Sequence, residues 1–313
     1  MSLPWSIPYG PPSETPYWGA PTAAVNFCEK VRLVGSPNPA LLRLITGTTQ
    51  DYVITKYVGE FFNALTSLVY VAYGIIGIQR YKRQDIGIFA GVNVSYWALI
   101  GVGICSGLYH TTLKYHTQMS DELSMHLAIG TVLQQVFTFK EPPRIQLRNT
   151  AIIVGILVPF VIYHCVTDEF IAHVILFFCM CWVVAWKVRK LIRERIIVKG
   201  HRDKMRGLLK FATFNALFAY FLWNIDVHLC STLTGWKHRL GMPLGILLEF
   251  HGYWHILTAL SSYTFMALIE FLVSPEDTSN YGTGFVWPAK LVLQDLAASK
   301  GDVMHANGIK KTD

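Results

Sequence analysis

LGILLEFHGYWHILTALSSYTFMALIEFL, residues 244–272, is the stretch whose reading decides the fold. It is long enough and apolar enough to cross a bilayer, which takes about 20 residues of helix. Yet it carries His251 and His255. Ionisable groups inside a membrane are expensive and by default mark function. Their i, i+4 spacing puts both imidazoles on one helix face.

Further apolar runs of spanning length stand near 58–79, 87–109, 122–139, 149–166, 170–188 and 208–230. Lipid offers no partner to backbone N–H and C=O groups, so each run is expected as a helix. The expected fold is all-α, an integral membrane bundle of seven transmembrane helices. Composition agrees: 52% of residues are hydrophobic and only 15% charged, where a soluble domain has roughly a quarter charged. Plentiful aromatic residues suit interfacial belts. The net charge of +7 is no nucleic-acid signal, because the basic residues are confined to certain loops. Met1 to Pro21 is rich in Pro, Gly and aromatics and lacks the apolar core of a signal peptide.

Loop charges set the expected orientation. Arg80, Lys82 and Arg83 follow the first run, and Lys140, Arg144 and Arg148 follow the third. A dense basic series from Lys187 to Arg206 follows the fifth. The second loop holds Lys114, and the fourth holds Asp168 and Glu169. The sixth loop is an exception, with Lys237 and Arg239. The positive-inside rule then places the odd loops and the C-terminus in the cytosol and the N-terminus in a lumen. Three parts are expected: a lumenal segment 1–57, a seven-helix domain 58–272 and a cytosolic tail 273–313.

This topology brings five residues from three helices to one membrane depth. Ser106 and His110 fall at the lumenal end of the second run, Asp121 at the start of the third, and His251 and His255 in the first turns of the seventh. Three imidazoles with an open fourth position suit a catalytic zinc ion, which acidifies water to a pKa of about 7. Such a site can hydrolyse an amide or ester. Ser106, one turn before His110, is placed to donate to a developing oxyanion. Asp121 is the candidate to take a proton from water and pass it to the leaving group. Each residue also has a plainer reading, as packing histidine, helix-packing serine or helix N-terminal acid. His116, His126, His164, His173 and His228 show no comparable pairing and are expected to be structural or interfacial.

The block Gly103-Ile-Cys-Ser106-Gly-Leu-Tyr-His110 through Asp121-Glu122-Leu resembles the core motif of alkaline ceramidases. Trp223-Asn-Ile-Asp226, Cys230 and Phe250-His251-Gly-Tyr-Trp-His255 resemble their closing motif. Tyr17-Trp18-Gly19 and Glu60-Phe61-Phe62-Asn63 also fit, so the resemblance runs from about residue 17 to 272, with a fungal character. It implies a seven-helix zinc amidase that cleaves ceramide to a sphingoid base and a fatty acid. His110, His251 and His255 would hold the zinc, Ser106 would stabilise the oxyanion and Asp121 would be the acid–base residue. Fungal members favour phytoceramide or dihydroceramide. The lipid would enter laterally; no nucleic acid and no obligate protein partner is implied.

The resemblance also implies a calcium site, with Asn26, Phe27, Glu29, Asp51 and Glu60 as its ligands; hard oxygen donors suit that ion. Asn26 stands in place of the usual aspartate, and Val31 where another oxygen is expected. Residues 31–50 match nothing in the family. Joining Lys30 to Asp51 restores the spacing, so the segment reads as a retained intron in the gene model rather than a genuine lumenal loop. The family position pairs Cys28 with Cys230 as a disulfide, which an oxidising lumen permits.

Lys310-Lys311-Thr312-Asp313 ends the chain. Lysines at these positions form a dilysine signal for coat-protein retrieval, which suggests the endoplasmic reticulum membrane or the Golgi. The stretch 274–309 is mixed and polar and is expected to lack fixed structure. Two alternatives from the same superfamily stay open: a lipid-responsive seven-helix receptor and a GPI-lipid remodelling hydrolase. Adiponectin-type receptors place the N-terminus in the cytosol, against the loop charges. A retinal protein would need a lysine in 244–272, which has none. No repeat of the transporter kind is evident.

Overall fold

A computed structural model describes residues 6–8, 13, 15–24, 52–82, 93–273 and 284–298. Asn26, Phe27, Cys28, Glu29, Asp51, the segment 31–50 and Lys310-Lys311 lie outside the described residues. The described chain is all-helical, apart from isolated β-bridges. Its long helices are α1 (Phe61–Lys82), α2 (Val94–Thr112), α3 (Tyr115–Thr138), α4 (Pro143–Thr167), α5 (Phe170–Arg195) and α6 (Lys199–His228). A short α7 (Cys230–Leu240) and a 3-10 turn (Leu244–Leu248) lead into α8 (Phe250–Val273), and α9 (Lys290–Ala298) follows.

Each apolar run lies on one of the long helices, with shifted ends. Helix α3 begins at Tyr115, seven residues before its apolar run, because its first turns are polar. Lys199 opens α6 within the basic series for the same reason: charge does not forbid helix outside the hydrocarbon. Among the described residues, five helices are long and apolar enough to cross a membrane: α1, α4, α5, α6 and α8. The chain is a multi-pass membrane protein. The two that fall short, α2 and α3, carry Ser106, His110, Asp121 and Glu122.

Burial separates these helices sharply. In α8, 67% of the spanning window is buried, against 6% in α4. Ile152, Val154, Ile156, Val158 and Ile162 of α4 are exposed, as suits a helix that meets lipid.

The chain forms two compact units, each built from several segments. The first comprises Met1–Val69, Gly103–Asp121 and Leu217–Thr258. Its organising feature is the end of α2, where the last carbonyls of a helix need partners. Leu113 adopts a positive φ of 52° there. Glu60 N–H donates to His110 O at 2.8 Å and Gly59 N–H to Thr111 O at 3.0 Å. The N–H groups of Thr22 and Ala23 both reach Leu113 O, and the Tyr52 hydroxyl donates to Thr112 O. The residues on either side of 31–50 therefore grip the same helix end. Ala23, Tyr52, Tyr109 and Leu113 form a buried cluster against Trp223.

The same unit accounts for one of the two cations of the sixth loop, while Arg239 is exposed. Lys237 is fully buried in α7, and its Nζ donates to Glu249 Oε2 at 2.6 Å. Its charge is neutralised inside the protein rather than presented by the loop.

The second unit comprises Tyr70–Val102, Glu122–Ala216 and Ala259–Asp313. Here Arg80 is buried in an ion pair with Glu270, which also accepts from the Tyr96 hydroxyl at 2.8 Å. The Arg80 guanidinium lies 4.0 Å from the Phe285 ring centroid. The expectation of an unstructured 274–309 fails for 284–298. Ala289, Leu293 and Leu296 recur at helical spacing and are buried, so α9 packs through one apolar stripe that average composition hides.

Candidate metal centre and active site

His251 and His255 sit one turn apart in the first turns of α8, and His110 sits near the end of α2. Their ligand atoms all lie within 4.8 Å of one another, and all three residues are buried. Ring centroids are 5.0 Å apart for His110 and His251, 4.9 Å for His110 and His255, and 4.6 Å for His251 and His255. Helical spacing alone brings the α8 pair together. Gly252 lies between them and has no side chain. A Cβ there would lie 2.5 Å from the Phe62 ring, so glycine lets α8 lie directly on α1.

Helix α1 and Glu60, the residue before it, supply the groups behind two of the imidazoles. His110 Nδ1 is hydrogen-bonded to Glu60 Oε2, which also accepts from Asn63 Nδ2 at 3.0 Å. His255 Nδ1 lies 3.1 Å from the Asn63 carbonyl oxygen, 3.1 Å from Thr66 Oγ1 and 3.4 Å from Ser67 Oγ. A carbonyl only accepts, so Nδ1 of His255 carries the proton and Nε2 keeps its lone pair. Carboxylate or carbonyl partners of this kind fix ring tautomer and orientation in metal sites and raise ligand basicity. A set of three buried imidazoles, two of them so oriented, fits a zinc ion.

Ser106 is buried on α2, one turn before His110. Ser67 Oγ is within 3.0 Å of Ser106 Oγ and 2.8 Å of Asn63 O. Ser106 thus joins the hydrogen-bonded group that holds His255. Asp121 lies in the second turn of α3, half-buried and in the same compact unit. Trp223 lies 6.4 Å from Trp254, which neighbours His255 in sequence.

Glu60 was expected among the calcium ligands. One of its carboxylate oxygens lies on His110, while the other four residues of that expected set lie outside the described residues. Asn63, Thr66 and Ser67 were not singled out by function at all. The one signal available was Glu60 and Asn63 inside the Glu60-Phe-Phe-Asn63 block, where i, i+3 spacing puts both on one face. Cys230 opens α7, and Cys28 lies outside the described residues.

The family model for ceramidases matches residues 45–297. Alkaline ceramidase YPC1 of Saccharomyces cerevisiae is 28% identical over 305 residues, covering 90% of this chain and 86% of the yeast protein. Alkaline ceramidase 3 of Mus musculus is 27% identical over 250 residues, 79% of this chain and 82% of the mouse protein. Similarity extends to an alkaline ceramidase of Arabidopsis thaliana, 21% identical over 255 residues and covering 79% and 82% of the two chains. The yeast match accords with the fungal character of the motifs. This chain belongs to the ceramidase family, a family of hydrolases.

Proposed function

We propose that this protein is a zinc-dependent intramembrane amidase that hydrolyses ceramide to a sphingoid base and a free fatty acid, with phytoceramide or dihydroceramide favoured. The observation that carries this reading is the convergence of His110, His251 and His255, with Ser106 tied into the same hydrogen-bonded group. The relatives' names supply the substrate class.

A bound zinc ion would supply Lewis acidity and lower the pKa of a water to about 7. His110, His251 and His255 would hold it. Glu60 and Asn63 O keep the His110 and His255 rings turned so that Nε2 faces inward. Ser106 acts as hydrogen-bond donor to the amide oxygen as charge develops there. Its Oγ lies 3.0 Å from Ser67 Oγ, whose single proton is shared between Ser106 Oγ and the Asn63 carbonyl. Asp121 takes a proton from the attacking water on its carboxylate and returns it to the departing nitrogen. Atoms balance as amide plus water giving amine plus carboxylic acid.

The remaining expectations belong to the same reading. The N-terminus is lumenal, the C-terminus cytosolic, and seven helices cross the membrane between residues 58 and 272. The lipid enters laterally, and Lys310-Lys311 holds the protein in the endoplasmic reticulum or early Golgi. Calcium binds through Asn26, Phe27, Glu29, Asp51 and Glu60 when 31–50 is spliced out, and Cys28 pairs with Cys230.

Lipid mass spectrometry on purified protein tests the activity, with phytoceramide, dihydroceramide and unsaturated ceramide as substrates beside a His255→Ala variant. Release of sphingoid base by wild type alone is the expected result and ranks the substrates. No release from protein that retains zinc would overturn the reading and favour a receptor or another lipid substrate. The same assay on protein lacking residues 31–50 shows whether that segment disables the enzyme.

A further inference from the structure

We propose that Glu122, His164 and His173 form a second metal site that takes a zinc-class divalent ion and shares no residue with the first. The three come from α3, α4 and α5, and their ligand atoms all lie within 4.8 Å of one another. His164 Nε2 is 2.6 Å from Glu122 Oε2, and His173 Nδ1 is 3.9 Å from the same oxygen. Zinc bonds of about 2.0–2.1 Å in tetrahedral geometry put ligand atoms roughly 3.3 Å apart. Small side-chain adjustments therefore close this set on an ion.

Local structure assembles the set. His164 occupies the last turn of α4, and Asp168 ends that helix with φ 52°. Glu169 then caps α5 by accepting from Ile171 N–H. His173 follows in the first turn, so a tight helical hairpin brings the two histidines face to face, with ring centroids 5.4 Å apart. Glu122 enters from α3. His126, one turn further along α3, borders the site at 4.8 Å from the His173 centroid. Its Nδ1 lies 3.1 Å from the Glu122 carbonyl, an acceptor, which leaves Nε2 as the lone-pair nitrogen.

A hydrogen-bonded pair does not account for this cluster. All four side chains are more than nine-tenths buried. The Glu122–His164 contact satisfies one nitrogen. His126 Nε2 and His173 Nδ1 remain buried with no hydrogen-bond partner among the described residues. Burying polar atoms unpaired is costly, so they are expected to meet something. Phe160 stacks on His164 at 5.6 Å, and Phe170 and Phe177 flank His173. Such an apolar shell excludes competing water. Imidazole nitrogens with one carboxylate oxygen suit zinc. The ion would fasten the ends of three helices to one another.

The test counts zinc per chain in full-length protein purified in detergent, stripped with chelator and dialysed against micromolar zinc. Wild type should hold two equivalents. His173→Ala and Glu122→Gln should each hold one, as should His255→Ala, which removes the other site. One equivalent in wild type, or two in both His173→Ala and Glu122→Gln, overturns the proposal. Where the second-site variants do not yield monodisperse protein, cobalt-loaded His255→Ala decides. It should keep the visible absorption of one nitrogen- and oxygen-ligated ion, and a colourless protein overturns the proposal. A His255→Ala protein that retains both equivalents instead defeats the zinc role proposed for the first triad and leaves this site standing.

Discussion

Two buried histidine clusters of similar chemistry sit in this protein, one on His110, His251 and His255, the other on Glu122, His164 and His173. The first announces itself locally, because two of its members share a helix at i, i+4 with flanking polar residues. The second has each ligand on a different helix, with His164 and His173 at no helical spacing. The first is backed by Glu60 and a layer of α1 groups that orient two of its rings. The second is backed mainly by phenylalanine rings. A cluster built to react needs oriented ligands with an open side; a cluster built to fasten helices needs burial and little else.

The largest test of that contrast is His255→Ala against His173→Ala. Loss of a ligand from the first set should abolish ceramide hydrolysis, whereas the second variant should retain measurable turnover per folded molecule. Equal loss in both, measured by sphingoid-base release, would erase the distinction.

Ser106→Ala comes next. Removing one oxyanion donor costs roughly 10²–10³ in kcat. Zinc content should stay unchanged, and a fall in zinc would reassign Ser106 to holding His255 through Ser67. Glu60→Gln is smaller. Loss of an orienting carboxylate behind a ligand typically costs about 10–100-fold in metal affinity or activity. A chelator titration should show weaker zinc binding at the first site and unchanged binding at the second. Gly252→Ala should be smallest in chemistry and visible in stability. Its Cβ would enter the Phe62 ring, and overpacking of this kind costs about 1–3 kcal/mol. A thermal midpoint equal to wild type would mean that α8 and α1 yield without strain.

Particular residues show where sequence reading stops. The apolar runs placed the long helices, since backbone in lipid must bond to itself. Polar first turns hid seven residues of α3. Average composition concealed α9, whose buried Leu293 and Leu296, with Ala289 just before the helix, form a local stripe. Lys237 looked like a loop charge that weakened the topology, and only its partner Glu249 shows that it is internal. His164 and His173 read as bystanders because their meeting depends on a hairpin between helices.

Sequence by itself determined the all-helical membrane class, the family, and the three histidines with Ser106 and Asp121 as the residues to examine. These follow from composition, helical period and motif, which act within one segment or repeat across relatives. Only tertiary structure decided that Glu60 lies against His110, that Asn63, Thr66 and Ser67 surround His255, and that Glu122 gathers two further histidines. Hydrogen bonds and ligand sets are satisfied in space. Side chains far apart in the chain meet when helices pack, and no local pattern records which faces will touch.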